Sequence, residues 1–178
     1  MASGGREKRM EKLGPVVASA HLAEGPLPAL SELEFALTMT DNAFTRWIVR
    51  CMTGAGYPDL GPLDIQVLHA VNHRDRPKKL ADICLILNIE DTHTVTYALK
   101  KLAGRGLVVS GRLGKEKIAT ITDEGRTACL DYRRIREGLL IGAVEDLGID
   151  EEQMSRLAAL LRVLSGVYDQ AARGAAVI

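Results

Sequence analysis

Apolar residues recur at helical spacing through most of the chain, beginning with a long segment in its first third. Residues 31–53 hold no glycine or proline and repeat apolar side chains at i, i+3, i+4 and i+7, and Gly54 ends the run. Ser31 and Glu34 have the spacing of a capping box. The pattern predicts one long helix that begins at Ser31.

Residues 1–30 show no sustained periodicity and contain several glycines and prolines. They also carry a basic cluster, formed by Arg6, Lys8, Arg9 and Lys12. This composition is typical of a loosely held terminus, so we expect a flexible basic N-terminal extension with a short helix near Val16–Leu22. A basic arm that touches phosphate is the alternative for this segment.

Three shorter helical patterns follow the long one. The first starts at Pro62, which suits a first helical turn, and the next two cover Lys78–Leu87 and Thr92–Ala103. The third of them has apolar residues at i, i+3, i+4 and i+7, namely Val95, Ala98, Leu99 and Leu102. We expect this stripe to be buried.

The apolar period then changes from helical to alternating. The β-branched runs at residues 107–112 and 117–122 flank a turn at residues 113–116 and predict a β-hairpin. A helix capped by Thr122 should run from Asp123 to about Leu147, and Gly148 ends it. A second capping box at residues 150–153 starts the last helix, whose stripe is Met154, Leu157, Leu161, Leu164 and Tyr168.

Charge divides the chain into three blocks although its formal net charge is zero. The net charge is −2 over residues 1–68, +5 over residues 69–117 and −3 over residues 118–178. A basic block is more often a solvated face than a polyanion site, so its function depends on the elements that carry it. Those elements are two short helices joined by a tight turn and then a basic hairpin, which is a winged helix-turn-helix pattern.

The polar side of the Thr92–Ala103 helix suits the major groove of DNA. With the apolar stripe facing inward, short hydroxyls and an imidazole lie near its N-terminus, and lysines follow one turn later. Such groups bind base edges and phosphates. The predicted DNA-binding residues are Lys79, Thr92, His93, Thr94, Thr96, Tyr97, Lys100, Lys101, Arg112, Lys115 and Lys117. For any one of them, an ordinary role on a solvated helix surface is the alternative.

The same region resembles the MarR family of transcription regulators. The motifs that carry the resemblance are Lys79-Leu-Ala-Asp-Ile, Asp91-Thr-His-Thr-Val-Thr96, Leu99-Lys-Lys-Leu102, Gly106-Leu-Val108 and Ile121-Thr-Asp-Glu-Gly125. The match covers about residues 31–170. Residues 31–40 and 79–88 are most similar to the LdtR-like branch of the family. The resemblance implies an obligate homodimer that binds palindromic operators in double-stranded DNA and is often released by a small ligand.

One departure from the family concerns the tip of the wing. The family usually carries Asp-x-Arg there, and its arginine enters the minor groove. This chain has a shorter turn with Gly114-Lys115-Glu116-Lys117 in that place. Only Arg112, Lys115 or Lys117 could take over the minor-groove role.

Together these patterns predict a mainly α protein with a small β-hairpin (α+β), a winged helix-turn-helix with long N- and C-terminal dimerisation helices. We expect a flexible extension at 1–30, an N-terminal dimerisation helix at 31–58, a DNA-binding domain at 59–122 and C-terminal dimerisation helices at 123–178. The terminal helices carry more apolar surface than a small domain can cover, which favours a homodimer over helices that wrap only their own core. Its two recognition helices should lie about 34–36 Å apart.

A small-molecule effector would lodge between the dimerisation helices and the DNA-reading module. The candidate residues would supply apolar and aromatic walls, a cation and an imidazole. They are Met39, Phe44, Trp47, Arg50 and His69. For each aromatic residue alone, a place in the core is the alternative.

Other functions have weaker support. His69 and His73 have an i, i+4 spacing that zinc proteins use, but position 70 is alanine and no third ligand lies at a telling distance, so we expect no metal site. Cysteine redox sensing is a further alternative, although Cys51, Cys84 and Cys129 fall on apolar stripes that favour inert thiols.

A third alternative is a winged helix that binds protein instead of DNA. No phosphate loop or nucleophile motif is present, so we expect neither an enzyme nor a cofactor.

The same composition bears on location. No apolar run approaches the ~20 residues that span a bilayer, so we expect no membrane partner. Three cysteines at no close spacing argue against a disulfide framework and favour the reducing cytoplasm.

Overall fold

The computed structural model describes residues 14–74 and 76–178. The N-terminal elements are α1 (Ala20–Ala23), α2 (Pro28–Gly54) and α3 (Pro62–Asn72). The next are β1 (Lys78–Lys79), α4 (Leu80–Leu87), α5 (Thr92–Gly104), β2 (Val108–Leu113) and β3 (Glu116–Ile121). The last are α6 (Asp123–Arg136), a π-helical segment (Glu137–Ile141), α7 (Gly142–Glu145) and α8 (Glu151–Ala175). The chain forms two compact units, which meet in sequence between Cys129 and Leu130.

The predicted fold class, a mainly α chain with a small β element, is confirmed. The core of the first unit is built from apolar side chains of α3, α4 and α5. Ile65, Leu68 and Val71 of α3 are fully buried, as are Ile83 of α4 and Leu102 of α5. Each such side chain stabilises the fold by about 1.5–3 kcal/mol relative to an exposed position.

The start of the long helix differs from the prediction. Helix α2 begins at Pro28, a residue that suits the first turn, and Ser31 therefore lies inside the helix instead of capping it. The buried Ser31 hydroxyl donates a 2.7 Å hydrogen bond to the carbonyl of Leu22, and the Val16 N–H donates to the Glu32 carboxylate at 3.3 Å. Residues 16–22 are thus held against the start of α2.

The short helix expected near Val16–Leu22 lies slightly later, at Ala20–Ala23. Within the extension predicted at 1–30, Val16 and Leu22 hydrogen-bond to residues of α2, and the flexibility of this extension stays a prediction. Residues 1–13, with the basic cluster of Arg6, Lys8, Arg9 and Lys12, lie outside the described residues.

The sheet has one strand more than the predicted hairpin. Lys78 and Lys79 form β1, which pairs antiparallel with β3 opposite Ala119 and Ile118, and the strand order is β1-β3-β2. Helix α4 accordingly begins at Leu80 and not at Lys78. The Lys78 side chain is buried, and its ammonium donates to the carbonyls of His73 and Arg76. Apolar periodicity cannot reveal a two-residue strand whose partner lies far along the chain.

The wing is the β2–β3 hairpin, in register from Val108 opposite Ile121 to Leu113 opposite Glu116. Gly114 has a φ of +62° in its two-residue turn, a conformation that favours glycine. At the other end, the Thr122 hydroxyl accepts a 3.0 Å hydrogen bond from the N–H of Gly125. The predicted N-cap of α6 is confirmed.

The second unit is built from the end of α6, the π-helical segment, α7 and α8. The second predicted capping box is confirmed, since Asp150 accepts from the Gln153 N–H at 2.7 Å and Gln153 accepts from the Asp150 N–H at 3.1 Å. No residue of α8 is buried in the described chain. None of the described helices is long and apolar enough to cross a membrane.

Candidate nucleic-acid interface

The candidate interface is built around α5. The Asp91 side chain caps this helix by accepting a 2.9 Å hydrogen bond from the His93 N–H. The predicted stripe of Val95, Ala98, Leu99 and Leu102 is buried, as expected. The opposite side of α5 presents His93, Lys100 and Tyr97, whose side chain is 72% exposed. The exposed side of α5, formed by His93, Tyr97 and Lys100, is a polar ridge that lies opposite the buried apolar stripe.

Two clefts flank this ridge. On one side, His93, Thr94 and Tyr97 lie beside Leu63 and Asp64 of α3. On the other side, α5 faces the wing across a cleft whose polar lining residues are Thr96, Lys100, Ser110, Arg112 and Lys117. Seven of the predicted DNA-binding residues therefore line the two clefts on either side of α5.

The threonine hydroxyls of α5 already donate to their own helix. Thr94 Oγ1 donates to the carbonyl of Asp91 at 2.7 Å, and Thr96 Oγ1 donates to the carbonyl of Thr92 at 2.9 Å. Each hydroxyl has one proton, so only its lone pairs remain for a ligand. In this arrangement the two threonines suit the amino groups of bases and not phosphate, which offers only acceptors.

Four of the predicted cations are exposed at the wing side of α5, namely Lys100, Arg112, Lys115 and Lys117. Among the residues that the structure describes, none of these four has an ion-pair partner. Exposed cations beside a helix that fits the major groove are the groups that neutralise DNA phosphates.

The other two predicted lysines are engaged within the protein. Lys101 of α5 forms a 2.7 Å ion pair with Asp64 of α3, and Lys79 of β1 forms a 2.6 Å ion pair with Glu116 of β3. The hydrogen bond that the Lys79 ammonium donates to the Glu116 carboxylate, together with the carboxylate's charge, raises the pKa of Lys79. The Lys79–Glu116 side chains are about half exposed, at 46% and 51%, whereas the Asp64 side chain is only 9% exposed.

Asp64 is the residue of this surface that sequence reasoning missed. It also accepts a 2.8 Å hydrogen bond from the Gly61 N–H and so helps to start α3. The sequence did offer one signal: Asp64 is an acidic residue among the apolar residues Ile65, Val67 and Leu68 of a short helix, where a buried carboxylate needs a partner. Its partner lies 37 positions away, beyond the reach of any local pattern.

The predicted effector residues lie on α2 and α3. Met39, Phe44 and Arg50 are exposed, whereas Trp47 and His69 are half-buried. Burial lowers the pKa of His69, which keeps its imidazole neutral. None of the five lines either cleft beside α5, and their role in effector binding stays a prediction.

The structure also bears on the metal and redox alternatives. Helix α3 ends at Asn72, so His73 lies past its end with extended backbone and the two imidazoles do not share one helix face. In residues 14–74 and 76–178 there is no group of three metal-ligating side chains. All three cysteines are buried, and burial raises the pKa of Cys129 to about 11, which keeps it a thiol at neutral pH.

Comparison with known proteins agrees with this geometry. Residues 60–125 match the family described as "Winged helix DNA-binding domain". No curated protein sequence gives a significant match.

Similar solved structures include a MarR-family transcriptional regulator from Rhodococcus sp. RHA1, at 16% identity and a TM-score of 0.62, covering 75% of this chain and 91% of that one. The transcriptional repressor CouR bound to a 23-mer DNA duplex has 21% identity and a TM-score of 0.62, covering 79% and 98%. CouR from Rhodococcus jostii RHA1 bound to p-coumaroyl-CoA has 17% identity and a TM-score of 0.63, covering 74% and 90%.

The match over residues 60–125 spans α3, the α4–α5 pair and the wing, which are the elements that carry the ridge and its cations. The likeness to the solved structures extends over about three quarters of the chain. Residues 60–125 are similar to the winged helix DNA-binding domains, and the chain has the fold of solved structures described as MarR-family transcriptional regulators.

Proposed function

We propose that this protein is a DNA-binding transcription regulator of the MarR family that acts as a homodimer on a palindromic operator and responds to a small-molecule effector. The observation that carries the proposal is the polar ridge of α5 beside four exposed cations that form no ion pair with any residue that the structure describes. A helix of this width enters the major groove, and the neighbouring wing lies against the backbone or minor groove.

The proposed contacts divide into two kinds. His93, Thr94, Thr96 and Tyr97 lie near the N-terminal half of α5, where side chains of a recognition helix reach base edges. Lys100, Arg112, Lys115 and Lys117 bind phosphates and bring salt dependence. Thr92, at the first turn of α5, and the half-exposed Lys79 complete the surface.

The homodimer is supported by apolar surface on the second unit. Helix α8 buries no residue in the described chain, and Met154, Leu157, Leu160, Val163 and Val167 are exposed on it. A 25-residue helix with so much exposed apolar surface is expected to pack against another subunit. Each subunit of such a dimer would bring one α5 helix to one half-site of a palindromic operator.

The effector is supported by a structural neighbour, since CouR is described in complex with p-coumaroyl-CoA. Phe44 and Trp47 would supply aromatic contacts, Arg50 a cation, His69 a neutral imidazole and Met39 an adaptable apolar wall.

The test is binding to a random-sequence duplex and to an operator selected from a random library with the wild-type protein. Affinity for the random duplex should fall steeply between about 50 and 200 mM salt. Lys100→Ala should weaken binding to both duplexes. His93→Ala and Thr94→Ala should weaken only operator binding, by roughly 1–3 kcal/mol for a lost base contact.

Arg162→Ala is the matched control, because it removes an exposed cation from α8 and leaves the α5 surface intact. It should leave both affinities unchanged. A wild-type protein that binds neither duplex in dilute buffer would overturn the proposal and favour a wing that binds protein.

A further inference from the structure

Lys101 differs from the other cations of the α5 surface in its surroundings. Its ammonium lies 2.7 Å from Asp64 Oδ2, on the side of α5 that faces α3. The Lys101 side chain is 33% exposed and that of Asp64 is 9% exposed. The pair is therefore largely removed from water, unlike Lys79 and Glu116.

Asp64 is held in place from a second direction. The same oxygen, Oδ2, accepts the hydrogen bond from the Gly61 N–H at the start of α3. The carboxylate cannot follow Lys101 toward solvent without giving up this bond. If Lys101 moved to a phosphate, a buried carboxylate would lose its cation, which is costly in a protein interior.

A contact between Lys101 and an exposed phosphate would contribute less free energy than the ion pair with Asp64, because water and salt screen it. From this balance we infer that Asp64 is a specificity-determining residue that withholds Lys101 from the DNA backbone. The inference rests on the proposed DNA-binding function. It assigns Lys101 to positioning α5 and removes it from the phosphate contacts predicted from the sequence.

The consequence for DNA binding follows from what each contact contributes. A phosphate contact strengthens binding to every sequence equally, whereas contacts to bases distinguish the operator. With Lys101 held by Asp64, the described residues that line the cleft on the α3 side of the ridge include His93, Thr94 and Tyr97 and no lysine or arginine. Asp64 thus keeps sequence-independent affinity low.

The decisive variant is Asp64→Asn, which keeps the shape and the acceptor for the Gly61 N–H but removes the charge. Freed Lys101 should then bind phosphate in each subunit. The slope of log affinity against log salt should steepen by about 0.9 per contact, or about 1.8 for a dimer. Affinity for the random duplex should rise roughly threefold to tenfold at moderate salt, and the ratio of operator to random affinity should fall.

Two further variants distinguish an Asp64 that holds Lys101 away from DNA from an Asp64 that only stabilises the fold. The neutral pair Asp64→Asn with Lys101→Gln should restore the wild-type slope, because it has no cation to release. Glu116→Gln is the matched control, since the exposed Lys79 can already exchange its carboxylate for phosphate and the slope should not change. A purely structural role for Asp64 would weaken binding to both duplexes and leave the slope as it was.

If Asp64→Asn does not fold, Lys101→Gln alone decides the question. It should keep the wild-type slope, whereas Lys100→Gln should make the slope shallower. An unchanged slope in folded Asp64→Asn, or a shallower one in Lys101→Gln, overturns the inference. A wild-type protein that binds no DNA contradicts the proposed function itself, so the two failures are distinct.

Discussion

Gly125 lies at the start of α6, where the helix passes the base of the wing. A Cβ at this position would lie 2.1 Å from the Leu107 carbonyl oxygen and 2.6 Å from Ile121 Cδ1. The nearest obstacle is backbone, which cannot rotate away as a side chain can. The Thr122 hydroxyl also accepts the Gly125 N–H, so the backbone itself is tied at this point.

Gly125→Ala should lower the free energy of unfolding by about 3 kcal/mol, at the upper end for overpacking a closed site. Urea denaturation at constant temperature measures it. Gly104→Ala is the matched control, because its added methyl meets nothing within 4 Å, and it should leave stability unchanged or raise it slightly. Equal stability of the two variants would contradict the close contact at Gly125.

Single residues show where sequence reasoning succeeds and where it stops. The exposure of His93, Tyr97 and Lys100 follows from the 3.6-residue period, because the stripe that must be buried is unambiguous. The pairing of Asp64 with Lys101 depends on how α3 and α5 pack, and no local rule specifies that. The burial and exposure of these side chains could be predicted from the sequence, whereas the ion-pair partners of the charged residues could not.

At the scale of elements, the N-terminal cap of α5 fixes the start of the surface that we propose to read DNA. Asp91 accepts from the N–H of His93, and its own carbonyl accepts from the Thr94 hydroxyl. The first turn therefore holds two of the proposed base-reading residues at fixed positions.

Asp91→Ala should destabilise the protein by about 1 kcal/mol, because it leaves a first-turn N–H without its acceptor. In a chain of this size the melting temperature should fall by about 2–4 °C. Asp91→Asn separates the cap from the charge, since asparagine caps as well as aspartate, and it should melt close to the wild type. Equal losses in both variants would show that charge and not capping is responsible.

The elements that could be predicted are those with a long, regular period. Helix α5 and the wing were expected almost where they occur, and the caps at Thr122 and Asp150 are confirmed. The start of α2 was misplaced because a local serine–glutamate pattern competes with Pro28, and packing against residues 16–22 decides the outcome. The strand β1 could not be predicted because two residues carry no period.

At the scale of the whole molecule, the exposed apolar surface of α8 bears on assembly. Leu157 lies on the predicted stripe of the last helix and is 47% exposed. Because it is already open to solvent in one chain, a charge there costs little folding energy in the monomer. In a homodimer the same charge would be buried without a partner.

Leu157→Glu should therefore convert the dimer into a monomer of about the 19.3 kDa chain mass while keeping its helical content. Light scattering with size-exclusion chromatography measures the mass, and circular dichroism checks the fold. Ser155→Glu, on the opposite and polar side of α8, should remain dimeric. If the wild type is already a monomer at micromolar concentration, the proposed assembly is wrong.

If Asp64 withholds Lys101 from DNA as we propose, the ion pair between them affects how quickly this protein would find its target in a genome. A chromosome offers about a million or more competing positions, and time spent held at them is lost to the search. Each lysine kept off the backbone shortens those pauses and leaves more molecules free to diffuse. A single buried carboxylate would in this way shorten the delay between a change in the cell and the change in gene expression.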